Sequence, residues 1–213
     1  MNMFKRSAQE LKSIRCLAVT GVLSALYIVM NAYLVIPFAD TQITFGYIAL
    51  AIIAMLYGPV VSVFAAIPCD ILAATLRPDV QMNLAWTPNR MLEALILGIF
   101  LYGYASRGTS GEPSPKKFRQ AAWATWQVLR IAIARLLVMI ICYTIVNSLL
   151  IYVIYNPPSA ANTAFWTWMV ARSGLKNVVQ YPLDLGIMFA ILPAVRMIYD
   201  KTNAQYGNRE AKT

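Results

Sequence analysis

From Ile14 onward the chain alternates long apolar runs with short polar interruptions. Six transmembrane helices can be drawn on that pattern: about Ile14–Pro37, Ile43–Tyr57, Pro59–Leu76, Thr87–Ala105, Arg130–Tyr155 and Arg172–Ile198. Crossing a hydrocarbon core of about 30 Å takes roughly 20 apolar residues at about 1.5 Å rise each. The second run has only 15 residues and ends in Tyr57-Gly58-Pro59, so the second and third spans are expected to meet at a tight turn. Proline cannot continue the preceding hydrogen-bond ladder, yet it suits the first turn of the next helix. A short span is tolerated where neighbouring protein covers it.

Two of the six runs break the apolar pattern at one end. The fourth opens WTPNRMLE, carrying Asn89, Arg90 and Glu93 in its first two turns after Trp86. The sixth opens RSGLKNVVQYPLD. Charge inside a membrane is costly unless it lines a cavity or meets a partner, so each polar end is a site candidate. On the sixth run Arg172, Lys176 and Gln180 recur every four residues and form one stripe, with Asn177, Tyr181 and Asp184 beside it. Arg90 and Glu93 share a face of the fourth run. At about 1.5 Å per residue, these groups together with Asp70 and Asn147 fall in one half of the membrane, and Asp184 near mid-depth. A shared chamber open to the outside is expected. Ion pairs tying the bundle together, Glu93–Arg90 or Asp70–Lys176, are the structural alternative. Arg90, Arg172 and Lys176 against Asp70 and Glu93 leave positive charge over, which favours an anionic ligand. Neutralising Arg90 or Lys176 is then expected to remove binding without unfolding the protein.

Composition narrows the class. The chain is 59 % hydrophobic and 13 % charged, against about 25 % charged in soluble domains, and its mean hydropathy is +0.58. A single transmembrane domain over residues 1–213 is expected, with no separate soluble domain. The basic opening MNMFKRSAQELKSIR runs straight into the first span, which reads as a retained helix rather than a cleaved signal. Of eighteen Lys and Arg residues, only Arg77, Arg90, Arg172 and Lys176 fall on the outer side if the N-terminus is inside; Arg135 counts with the inner set, one turn above that face. The asymmetry puts both termini in the cytosol, and it absorbs most of the net charge of +9, so nucleic-acid binding does not follow. Trp86, Trp166 and Trp168 at outer ends, with Trp123 and Trp126 at the inner boundary, fit an aromatic belt. Ser106–Pro115 reads as a flexible linker and Lys116–Arg130 as an amphipathic interfacial helix, together a cytosolic segment of about 106–129. Asn156–Val170 is long enough for an outer lid.

Catalytic chemistry is poorly provided for. There is no histidine, which removes the commonest general base and transition-metal ligand. Cys16, Cys69 and Cys142 are widely separated in apolar surroundings, with no zinc or redox spacing, and read as packing residues. No catalytic residue, metal site or cofactor is assigned. On the first span Ala18, Gly21 and Ala25 lie on one face, a small-residue stripe that lets another helix approach closely, within the chain or from a separate subunit.

Taken together, Gly46–Ser62 (GYIALAIIAMLYGPVVS), the following span with Asp70, LILGIFLYG, NSLLIYVIY and ARSGLKNVVQYPLDL resemble the substrate-binding S components of energy-coupling-factor (ECF) vitamin transporters, folate-type branch, over roughly Ile14–Ile198. The resemblance implies an all-α membrane protein of six helices, in the bacterial plasma membrane, that binds a water-soluble vitamin and hydrolyses nothing. It implies docking through the first-helix residues Ala18, Gly21 and Ala25 onto a transmembrane coupling (T) protein carrying two ATPases. A folate-like ligand would stack on Trp86 or Tyr47 and meet Arg90, Arg172 or Lys176, with Asp70, Asn89, Glu93, Asn147, Asn177 and Gln180 completing the candidate site. One departure is NLAWTPNRMLE, where that branch carries an aromatic-Pro-Gly-Phe-Thr stretch.

Pantothenate would use the same cations with less stacking, and cobalamin would need a wider mouth and little charge. Other classes fit less well. A membrane enzyme lacks paired catalytic carboxylates on one face, a bare scaffold would not gather polar groups in one half of the membrane, and a stand-alone secondary transporter would show two corresponding halves.

Overall fold

The computed structural model describes residues 3–38, 41–76, 84–102, 117–155 and 164–210. The described chain is almost entirely helical: α1 Met3–Glu10, α2 Ile14–Tyr33, α3 Tyr47–Tyr57, α4 Pro59–Thr75, α5 Thr87–Leu101, α6 Lys117–Val138, α7 Asn147–Tyr155 and α8 Phe165–Glu210. A π-helical segment, Met139–Val146, joins α6 to α7, so Lys117 to Tyr155 is one uninterrupted helix. Among the described residues three stretches are long and apolar enough to cross a membrane, Ile14–Tyr33, Trp126–Tyr155 and Lys176–Tyr199.

Helix α3 is the packing centre. Tyr47 to Met55 are buried without exception, which accounts for a helix apolar all round rather than on one stripe. At 11 residues it spans only about 16 Å, and α2, α4, α5 and α8 pack against it.

The α3–α4 turn forms as expected. Gly58 takes φ +88°, a left-handed conformation open to glycine, and a Cβ there would meet Tyr102 and Ser7. Pro59 then opens α4. The Ser7 hydroxyl, from α1, donates to the Tyr57 carbonyl (2.7 Å) and accepts from the backbone N–H groups of Val60 (3.1 Å) and Val61 (3.4 Å). It thus caps α4 from another element, satisfying donors that a helix start leaves unpaired. Gly98 of α5 lies against Pro59; a Cβ would come within 2.4 Å of the Pro59 Cα, so the close approach of α5 to the start of α4 depends on its absence.

Several boundaries differ from the sequence reading. The first span ends at Tyr33, and Val35–Phe38 pairs antiparallel with Thr41–Thr44, Ile36 opposite Ile43. Clustered β-branched residues favour this extended pair, and Pro37 disfavours helix in the residue before it. The interfacial helix expected over Lys116–Arg130 is no separate element, because α6 starts at Lys117 and runs on into the fifth span. The last helix begins at Phe165, well before Arg172, so Phe165–Val170 belongs to α8 rather than to a lid. Pro182 and Pro193 lie inside it, tolerated because neighbouring helices can satisfy the freed carbonyls. The Ser106–Pro115 linker, Arg77 and the start of the lid, Asn156–Thr163, lie outside the described residues.

Candidate functional site

The polar end of α5 is organised by its own first turn. The Thr87 hydroxyl donates to Asp70 Oδ2 of α4 (2.9 Å). Arg90, one turn on, places Nη1 2.8 Å from Glu93 Oε2 and Nε 3.6 Å from Asp70 Oδ1. The expected Glu93–Arg90 pair therefore forms, while Asp70 joins Arg90 rather than Lys176.

Arg135, expected one turn above the inner face and counted there with the inner cations, turns into the bundle. It is fully buried, with Nε 3.0 Å and Nη2 2.5 Å from Asp184 Oδ2, and Nη1 3.3 Å from Glu93 Oε1. Its guanidinium lies 3.9 Å above the centre of the Tyr47 ring. A continuous chain of opposite charges results, Asp70–Arg90–Glu93–Arg135–Asp184, stitching α4, α5, α6 and α8 together. Tyr143, in the π segment, completes it by accepting from Arg90 Nη1 (3.1 Å) and donating to Glu93 Oε1 (3.2 Å). Two arginines, whose forked donors can each serve two partners, thereby contact three carboxylates.

The stripe on α8 is different. Lys176 is only 8 % exposed and makes no ion pair with any described carboxylate; its ammonium lies 5.6 Å from the centre of the Tyr143 ring. Arg172, one turn away, has its guanidinium 5.7 Å over the Trp168 ring. Asn177 donates to Thr144 Oγ1 (2.7 Å), and Asn89, from α5, to the Cys142 carbonyl (3.3 Å), so both amides grip the π segment. Several buried acceptors on these residues have no hydrogen-bond partner among the described residues: Asn89 Oδ1, Asn177 Oδ1, Gln180 Oε1 and Asp184 Oδ1, with the Tyr47 hydroxyl, unpaired likewise, beside Asp184. Buried polar atoms are usually satisfied, and these five are the larger part of the exceptions among the described residues.

Of the candidate residues, the fold brings Tyr47, Asp70, Asn89, Arg90, Glu93, Lys176, Asn177 and Gln180 into one neighbourhood. Arg172 sits at its edge through Trp168. Trp86 is half-buried at the start of α5 and stacks on no other ring among the described residues. Asn147 is half-buried just past the π segment and reaches it by its backbone N–H, bonded to the Cys142 carbonyl. Sequence reasoning left Thr87, Arg135, Tyr143 and Asp184 out of the site. For Arg135 the signal was present: an arginine inside IAIARLLVM is an intramembrane charge and a site candidate by itself, but the tally of inner-side cations had absorbed it. Tyr143 gave no such signal, since a π segment leaves no mark in the sequence pattern.

No group of three or more His, Cys, Asp or Glu able to hold a metal occurs among the described residues. Membrane-length helices enclosing a cluster of charges, ring faces and unsatisfied acceptors define a membrane-embedded binding protein. The family model for the ECF-type riboflavin transporter, S component, matches residues 11–181, and the chain belongs to that family. It is a transport component and not an enzyme, with a vitamin as its cargo and other ECF subunits as its partners. The chain is also similar to the folate transporter FolT of Leuconostoc mesenteroides subsp. mesenteroides, 23 % identical over 172 residues, 81 % of each chain. Its fold resembles that of a crystal structure of FolT bound with folic acid, with a TM-score of 0.61 and 21 % identity over 83 % of this chain and 92 % of the other.

Proposed function

We propose that the chain is the folate-binding S component of an ECF-type importer. The observation that carries the reading is Lys176, a buried ammonium with no described carboxylate partner, one turn from Arg172 and beside unsatisfied amide acceptors. An uncompensated buried charge is destabilising, and a carboxylate-bearing ligand would relieve it. Folic acid offers two carboxylates and a flat heteroaromatic ring whose N–H groups suit Asn89 Oδ1, Asn177 Oδ1 and Gln180 Oε1. The similarity to FolT supports the same choice.

In this reading the six apolar runs all lie within the bilayer of a bacterial plasma membrane, with both termini cytosolic and the site open to the outside. Delivery would need a T protein and two ATPases. The docking face would be Ala18, Gly21 and Ala25 of α2. All three are exposed, and a Cβ at Gly21 would meet nothing within 4 Å, so the described residues leave this stripe uncovered.

Riboflavin is the second reading, favoured by the description of the matching family model. It is uncharged where folic acid is anionic, and pantothenate is an anion without the ring. Mass spectrometry of the small molecule that co-purifies with the protein, followed by calorimetric titration with all three, separates them. Folic acid is expected to bind most tightly. Tight riboflavin binding with none for folic acid would overturn the assignment.

A further inference from the structure

One aromatic ring lies within about 6 Å of three cations of the site, the half-buried Arg90 and the buried Arg135 and Lys176. The Tyr143 ring centre is 5.8 Å from the Arg90 guanidinium, 5.3 Å from that of Arg135 and 5.6 Å from the Lys176 ammonium. The two arginines are held by carboxylates; Lys176 has the ring and no ion pair with any described carboxylate. A cation over a tyrosine face is attracted by the ring quadrupole, most strongly where water is excluded.

The ring itself is fixed from every side. Its hydroxyl is held by Arg90 and Glu93. Its backbone neighbours are gripped by Asn89 at the Cys142 carbonyl and by Asn177 at Thr144 Oγ1. The wide turn makes this possible: the Asn147 N–H bonds the Cys142 carbonyl five residues back, and the Thr144 hydroxyl bonds the Met139 carbonyl. Such π segments are rare within helices and recur at functional sites.

We propose that Tyr143 is a specificity-determining residue: its ring face positions the Lys176 ammonium to receive a carboxylate of the ligand. Tyr143 acts through Lys176 and is a positioning residue. The inference rests on the folate reading, since it needs an anionic ligand.

The test compares folic acid with its dimethyl ester, which keeps the ring system and loses both negative charges. On the purified full-length protein, wild type is expected to prefer the acid by about tenfold or more, the worth of one well-placed ionic contact. Tyr143→Phe removes the hydroxyl but keeps the ring, and should hold that preference within about threefold. Tyr143→Leu should lower affinity for the acid about tenfold and leave the ester unchanged, as should Lys176→Gln. Should the leucine variant fold poorly, p-cyanophenylalanine at position 143 keeps the ring's size while making its face less negative, and the same selective loss is expected.

A purely structural Tyr143 would weaken both probes alike, and that result overturns the proposal. So does an unchanged preference in the leucine or cyano variant. Wild-type protein that binds riboflavin and neither folate probe overturns the folate reading and this inference together, whereas normal folic acid binding with an unmoved preference overturns the role of Tyr143 alone.

Discussion

Helices α5 and α8 both carry charge into the helix bundle, yet they dispose of it in opposite ways. On α5 Arg90 and Glu93 find partners within the chain, through Asp70, Tyr143 and Arg135. On α8 Asp184 is bound to Arg135, but among the described residues Lys176 meets a ring face and no ion-pair partner, and Gln180 Oε1 and Asn177 Oδ1 meet no hydrogen-bond donor. A saturated network is a joint between helices. An unsaturated one is where a ligand can add contacts the protein does not already make. In the function proposed above, similar sequence patterns at two helix ends serve mainly as scaffold on α5 and mainly as receptor on α8, with Asn89 of α5 the exception.

The largest effect should come from breaking the joint. Arg135→Met leaves Glu93 without one partner and Asp184 without its only described ion pair. Removing one member of a buried ion pair typically destabilises by about 3–5 kcal/mol. A marked fall in the melting temperature of detergent-purified protein is expected, with ligand or without. An unchanged melting temperature would mean that the charge chain is not what holds these helices together. Arg90 belongs to the same joint, so its neutralisation now carries a stability loss as well as a binding loss, and Lys176 becomes the cleaner probe.

On the receptor side, Lys176→Gln should lower folic acid affinity by about tenfold or more, the loss of one charge-assisted contact. Its melting temperature in the absence of ligand should stay level or rise, because an uncompensated buried charge has gone. Equal affinity in calorimetric titrations would remove Lys176 from the site, and a sharp loss of stability would move it from receptor to scaffold.

The smallest effect on the isolated subunit is expected away from both regions. Gly21→Leu adds a side chain to an exposed face, where substitutions usually stay within about 0.5 kcal/mol, so melting temperature and folic acid affinity should not move. Co-purification with the ATPase subunits and ATP-dependent uptake should both be lost. Retention of both would place the docking face elsewhere.

Much of this division could be read before folding. Apolar runs bounded by prolines gave the α3–α4 turn, because Gly58-Pro59 has few backbone solutions. The four-residue spacing of Arg172, Lys176 and Gln180 puts them on one side of α8 once that segment is α-helical. Partner choice was not readable: Asp70 could have met Lys176 or Arg90, and only the packing of α4 against α5 brought it to Arg90. Counting Arg135 with the inner cations failed for a related reason. Positive charge near a membrane face looks the same in sequence whether it reaches the headgroups or turns inward to two carboxylates.

What the sequence determined by itself was the solvent: a chain this apolar, with its charge gathered at a few helix ends, must bury most of its length in lipid or in itself, and helices follow because every backbone donor needs an acceptor there. The tertiary structure alone decided which of the buried charges neutralise one another. Coulomb energy in a medium of low dielectric depends steeply on separations of a few ångströms, and those separations are set by helix packing and by one wide turn at Met139–Val146, neither of which is written in the order of the residues.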